Sequence, residues 1–96
     1  MNKIKEIAAV LAQTGDAEEI EGFLKSILTK NEADEISSRW ELVKLLQEGM
    51  SQRKIAERLG LSLCKITRGS RELKKSHSSF KAMLEKHRDL SKNKPV

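Results

Sequence analysis

Between Leu63 and Lys74 the chain reads LCKITRGSRELK, in which Lys65, Thr67, Arg68, Arg71 and Lys74 fall between the apolar positions. Wound as a helix, those five residues form an exposed positive, hydrogen-bonding face, while Leu63, Ile66, Gly69 and Leu73 recur at helical spacing. Ammonium, guanidinium and hydroxyl groups in that array suit nucleic acid: phosphate oxygens are held by charge and base edges are read by hydrogen bonds. Leu63, Cys64, Lys65, Thr67 and Arg71 are the candidates for a major-groove face, and Lys74 and Lys75 for phosphates. Gln52, Arg53 and Lys54, twelve or so residues upstream, open a shorter helix whose first backbone amides also suit phosphate.

The elements that position these side chains can be read from turn and capping residues. The upstream helix spans about Gln52 to Leu59, with Ile55, Ala56 and Leu59 at helical spacing. Gly60 stops it in the left-handed conformation, Leu61 turns inward, and Ser62 caps the second helix. Ala56, Gly60 and Ile66 are the small, turning and wedging positions of a helix-turn-helix over residues 51–75. Ahead of it, a first helix is predicted over Asn2–Gln13. A second follows Thr14-Gly15-Asp16, with Asp16 and Glu19 as a capping box and Ile20, Phe23, Leu24, Ile27 and Leu28 on one face. Thr29 and Glu32 open a long third helix, Lys30–Glu48, ended by Gly49. Its apolar surface, Ile36, Trp40, Leu42, Val43, Leu45 and Leu46, is broader than one small neighbour covers, so this helix is expected to be central and shared with a second subunit. A sixth helix carries Phe80, Met83, Leu84 and Leu90. The expected fold class is all-α: six helices, one domain over residues 1–90, and a polar, disordered tail over 91–96.

Charge is distributed unevenly. Residues 1–50 hold six Lys/Arg against ten Asp/Glu, whereas residues 51–96 hold thirteen against four. A basic half that also contains a helix-turn-helix is what a phosphate-binding face requires. No apolar run is long enough for a membrane span and the amino terminus lacks a signal-peptide pattern, so the expected location is the cytoplasm, with no membrane partner. The single cysteine, Cys64, fits a reducing compartment. His77 and His87 stand without a ligand pattern, so no metal is expected. No nucleophile, base and orienting group stand at suggestive spacing, so no enzyme is expected either.

From Leu28 to Lys74 the chain resembles the bacterial tryptophan repressor family, through Leu28-Thr29, Arg39, SQRKIAERLG at 51–60 and, above all, ITRGS at 66–70. The resemblance implies an intertwined homodimer that represses transcription from a double-stranded DNA operator. It also implies L-tryptophan as a regulatory small-molecule ligand that adjusts the spacing of the reading helices, with no other cofactor. By the same resemblance Arg39 and Arg68 flank the indole ring, Arg68 pairs with the carboxylate, Thr29 adds a hydrogen bond and Gly69 leaves room for the ring edge. Glu72 stands where the best-known members carry a serine, and it either pairs with the ligand's ammonium or crowds the pocket and binds Arg68. The Arg39–Ser51 connection is also shorter than in those members, by about one residue.

Each role has a plainer rival. Arg68 is otherwise one more phosphate contact, and Arg39 an ordinary i−4 ion-pair partner of Glu35. Trp40 is core or dimer interface, and Met50 and Met83 are packing residues. At the level of function the alternatives are a regulator of the same fold that answers another effector or none, and a basic protein-interaction module.

Overall fold

The computed structural model describes residues 2–92, which form six α-helices: α1 Ile4–Gln13, α2 Ala17–Ile27, α3 Lys30–Gln47, α4 Gln52–Leu59, α5 Leu63–Lys74 and α6 Ser79–Lys92. Among the described residues there is no strand, and no helix is long and apolar enough to cross a membrane.

Capping chemistry explains most of the boundaries. Helix α1 begins two residues later than its periodicity suggests, because Asn2 lies outside it and its Oδ1 accepts the Ile4 N–H at 2.9 Å. Asp16 caps α2, but its short side chain reaches the Glu18 N–H at 3.0 Å rather than forming the expected reciprocal box with Glu19. At α3 the box is complete: Thr29 Oγ1 accepts from the Glu32 N–H at 3.2 Å, and Glu32 Oε1 accepts from the Thr29 N–H at 2.9 Å. Ser51 and Ser62 cap α4 and α5 by accepting from the Lys54 and Lys65 N–H groups. Gly49 (φ 94°) and Gly60 (φ 66°) end α3 and α4 in the left-handed region, where an L side chain meets its own backbone. Helix α6 continues through Ser91 and Lys92, two positions expected in the tail; residues 93–96 lie outside the described residues.

The chain divides into two compact units within α3, one ending at Ile36 and the other beginning at Ser37. The carboxy-terminal unit holds the core. Leu42, Val43 and Leu45 of α3 are buried with Ile55 of α4, Ile66 of α5 and Leu84 of α6. Ile55 and Ile66 are wholly inaccessible, and their helices, α4 and α5, pack against each other. Leu59, Leu61 and Leu73 pack around them, and Trp40 stacks on Phe80 (5.8 Å between ring centroids) with the edge of His87 against it at 5.9 Å. In the amino-terminal unit no residue of α1 or α2 is buried; Ile4, Val10, Phe23, Leu24 and Ile27 are exposed along the stripes their spacing defines.

The turn at Gly60 provides a direct test of this construction. A Cβ there meets nothing within 4 Å, so the cost of a side chain is conformational alone. Gly60→Ala is expected to lower stability by about 1–2 kcal/mol, read as a lower urea midpoint with an unchanged denaturant slope.

Candidate functional site

Helix α5 turns one face to the core and the other to solvent. Its inward positions, Ile66 and Gly69, are buried, and Leu73 is partly so. Gly69 lies close against α3: a Cβ on it would stand 3.2 Å from Val43 Cγ2 and 3.4 Å from Leu42 Cδ2. The missing Cβ at Gly69 thus eases the approach of Leu42 and Val43 to α5.

The outward face forms an open groove of about 610 Å³. Leu63, Cys64 and Thr67 line one stretch of it, and Arg68, Arg71, Glu72 and Lys75 the other. These positions follow the i, i+3, i+4 row of a single helix face, which is why one short element supplies the whole lining. Of the residues expected to contact DNA, Leu63, Cys64, Thr67, Arg71 and Lys75 share this groove with Arg68 and Glu72, expected to contact a ligand. Lys65 and Lys74 are exposed on α5 but do not line it, and Gln52, Arg53 and Lys54 are exposed in the first turn of α4. Arg39, exposed on α3, is not part of the lining. Thr29, exposed at the start of α3, already uses its hydroxyl oxygen as a cap acceptor.

Charge in the groove is three cations against one anion. Glu72 Oε1 accepts from Lys75 Nζ at 3.0 Å, while Arg68 and Arg71 make no ion pair among the described residues. Sequence reasoning weighed a Glu72–Arg68 pair and missed Glu72–Lys75, although its i, i+3 spacing was a usable signal. Lys75 is the carboxy-terminal cap of α5, and its helical φ of −63° keeps its side chain on the i, i+3 row with Glu72. Arg39 likewise makes no ion pair among the described residues, so its rival role with Glu35 is not realised. No group of His, Cys, Asp and Glu side chains suited to a metal ion occurs among the described residues.

A family model described as Trp repressor protein matches residues 2–88 of the chain. The chain belongs to the Trp repressor family. That family consists of transcriptional repressors rather than enzymes, and six helices without strands among the described residues accord with its fold. A Trp operon repressor homolog of Chlamydia trachomatis serovar L2 is 43% identical over 60 residues, covering 62% of this chain and 64% of the relative. The chain thus spans somewhat less than two thirds of the chlamydial relatives it matches. A homolog of Vibrio cholerae serotype O1 is 35% identical over 81 residues, covering 83% of this chain and 79% of the relative. One of Aliivibrio salmonicida is 32% identical over 80 residues, covering 82% and 74%. No solved structure matches.

Gly69 offers a test of the α3–α5 approach on which this family member's groove depends. Gly69→Ala is expected to cost about 1–3 kcal/mol through overpacking. The same step in a Val43→Ala background is expected to cost less, a non-additivity that a double-mutant cycle of urea midpoints detects.

Proposed function

We propose that this protein is a sequence-specific DNA-binding transcriptional repressor that acts as a homodimer with L-tryptophan as co-repressor. The observation that carries this reading is the packed α4–α5 pair, with Ile55 and Ile66 wholly buried and a cationic outer face, in a chain of the Trp repressor family. Leu63, Cys64, Lys65, Thr67 and Arg71 meet the major groove, while Gln52, Arg53, Lys54, Lys74 and Lys75 hold phosphates. Two reading helices related by a two-fold axis reach half-sites about one helical turn apart. The dimer is supported by the apolar side chains a single chain leaves at the surface, among them Leu24, Ile27 and Ile36 (42, 51 and 48% exposed), since side chains of this kind gain by burial against a second copy.

For the co-repressor, Arg68 and Arg39 supply guanidinium groups that make no ion pair among the described residues. A guanidinium stacks on an aromatic face and binds a carboxylate through two parallel hydrogen bonds. Thr29 retains its hydroxyl proton, which its cap bond does not use, as a donor. Tryptophan regulates by favouring the spacing of the reading helices that fits DNA, and it shifts that equilibrium only by its difference in affinity between the two spacings.

Calorimetric titration with L-tryptophan is expected to show saturable binding below millimolar concentration, and Arg68→Ala to abolish it while leaving the helical circular dichroism unchanged. No binding by the intact chain would remove the co-repressor and leave the DNA-binding reading standing. Selection from a random DNA pool is expected to return a near-palindromic site; recovery without sequence preference at moderate salt would support a basic protein-interaction module instead. On the selected site, losing one phosphate contact in Lys74→Ala is expected to reduce the slope of log K against log salt concentration by about 0.9. Arg71→Ala, by contrast, is expected to relax base preference at one position of each half-site.

A further inference from the structure

We infer that His87 and Trp40 form a pH-sensitive clasp between α6 and α3, in which a protonated imidazole grips the indole face and a neutral one gives up part of that hold. The clasp stands apart from the α5 groove and does not depend on what the groove binds.

Three rings build it. Phe80 and His87 both belong to α6, and two helical turns, about 10.5 Å of rise, separate them. The ring centroid of Trp40, from α3, stands 5.8 Å from that of Phe80 and 5.9 Å from that of His87. A ring equally near two side chains that start so far apart lies between them. Its plane is 20° from that of Phe80, a stack, and 87° from that of His87, an edge contact. Phe80 thus covers one indole face and the imidazole edge meets the other. The two contacts differ in chemistry. Phe80 is apolar at every pH, so its stack is constant. The imidazole edge carries one N–H and one lone pair when neutral, and two N–H groups with a full positive charge when protonated. An indole face is the best aromatic partner of a cation. Protonation therefore strengthens a contact that joins α6 to α3.

Little else around His87 answers that charge. It makes no ion pair among the described residues. The positions one turn from it on α6 are Met83, Leu84, Leu90 and Ser91, none of them charged. Glu85, Lys86, Arg88 and Asp89 stand one or two positions away and do not share its row. On α3 the positions one turn from Trp40 are Ile36, Ser37, Val43 and Lys44, and the Lys44 ammonium is already paired with Glu41 at 3.0 Å. Helix α5, which also packs against α6, turns Ile66, Gly69 and Leu73 inward, again without charge. The indole face is then the partner that distinguishes the two states of the imidazole. Because the folded chain favours the charged form, the added hold is complete at low pH and is lost as pH rises through the imidazole range, about 5 to 8. Since α6 packs against α5 as well as α3, the clasp bears on the helix that carries the groove.

Trp40 is the only tryptophan of the chain and His77 the only other histidine, so intrinsic fluorescence reads this cluster alone. Acidifying the native protein from about pH 8 to about pH 5.5 is expected to quench Trp40 emission in a single step, because a protonated imidazole in contact quenches indole. His77→Gln is expected to leave that step unchanged and His87→Gln to abolish it. His87 is exposed, so its variant tests the clasp without disturbing the core. Urea unfolding at one protein concentration, followed by circular dichroism, supplies the second readout. On acidification the ratio of folded to unfolded wild-type chain is expected to rise relative to His87→Gln by roughly two- to fivefold. Comparison with the variant cancels the contributions of the other titrating groups. In a Trp40→Leu background the same comparison is expected to show no pH dependence. A quenching step that survives in His87→Gln overturns the clasp, as does a wild-type ratio that stays level or falls relative to that variant on acidification.

Discussion

The burial of Ile55 of α4 and Ile66 of α5 in one shared core is the constraint on which the outward face of α5 depends. Both side chains are wholly inaccessible, and both come from helices too short to be stable alone. Burying the pair against Leu42, Val43 and Leu45 stabilises each helix by tertiary contact rather than by propensity. A full aliphatic side chain removed from water contributes roughly 1.5–3 kcal/mol. Gly60 permits the turn between the helices, and Gly69 lets α5 settle onto α3 without a Cβ in the way. Once that inward face is committed, the rotation of α5 about its axis is set, and its polar residues have one side left to them.

That single side carries two kinds of chemistry. Thr67 and Arg71, suited to bases, line the same groove as Arg68 and Glu72, suited to a small ligand. A ligand that settles there and a DNA surface that approaches there meet the same cations, so each alters the electrostatics the other encounters. Lys75 is the clearest case: its ion pair with Glu72 offsets part of its charge on this face.

The amino-terminal unit stands in contrast. Its helices are amphipathic and well capped, yet neither buries a residue within the chain. Local hydrogen bonds at Asp16, Thr29 and Glu32 fix where its helices begin, and they contribute no core. The stripe Ile20, Phe23, Leu24 and Ile27 was legible from spacing alone, because a period of 3.6 residues is a property of one helix. What covers a stripe depends on other parts of the molecule, and no local signal encodes it.

Sequence by itself determined the six helices, the helix-turn-helix and the family. Each rests on short-range chemistry: side-chain oxygens of Ser51 and Ser62 capping the next turn, glycines at 49 and 60 where the backbone turns left-handed, and ITRGS in register after the turn. Tertiary structure decided what those residues face. Gly69 lies close to Leu42 and Val43, residues more than twenty positions back in the chain, a neighbourhood that no local spacing specifies. Glu72 was legible as a departure from the family's pattern, and Arg68 (i−4) and Lys75 (i+3) were both within reach; in the structure its partner is Lys75. Spacing identifies which residues share a face of a helix, and packing alone determines whether that face meets a core, a groove or solvent.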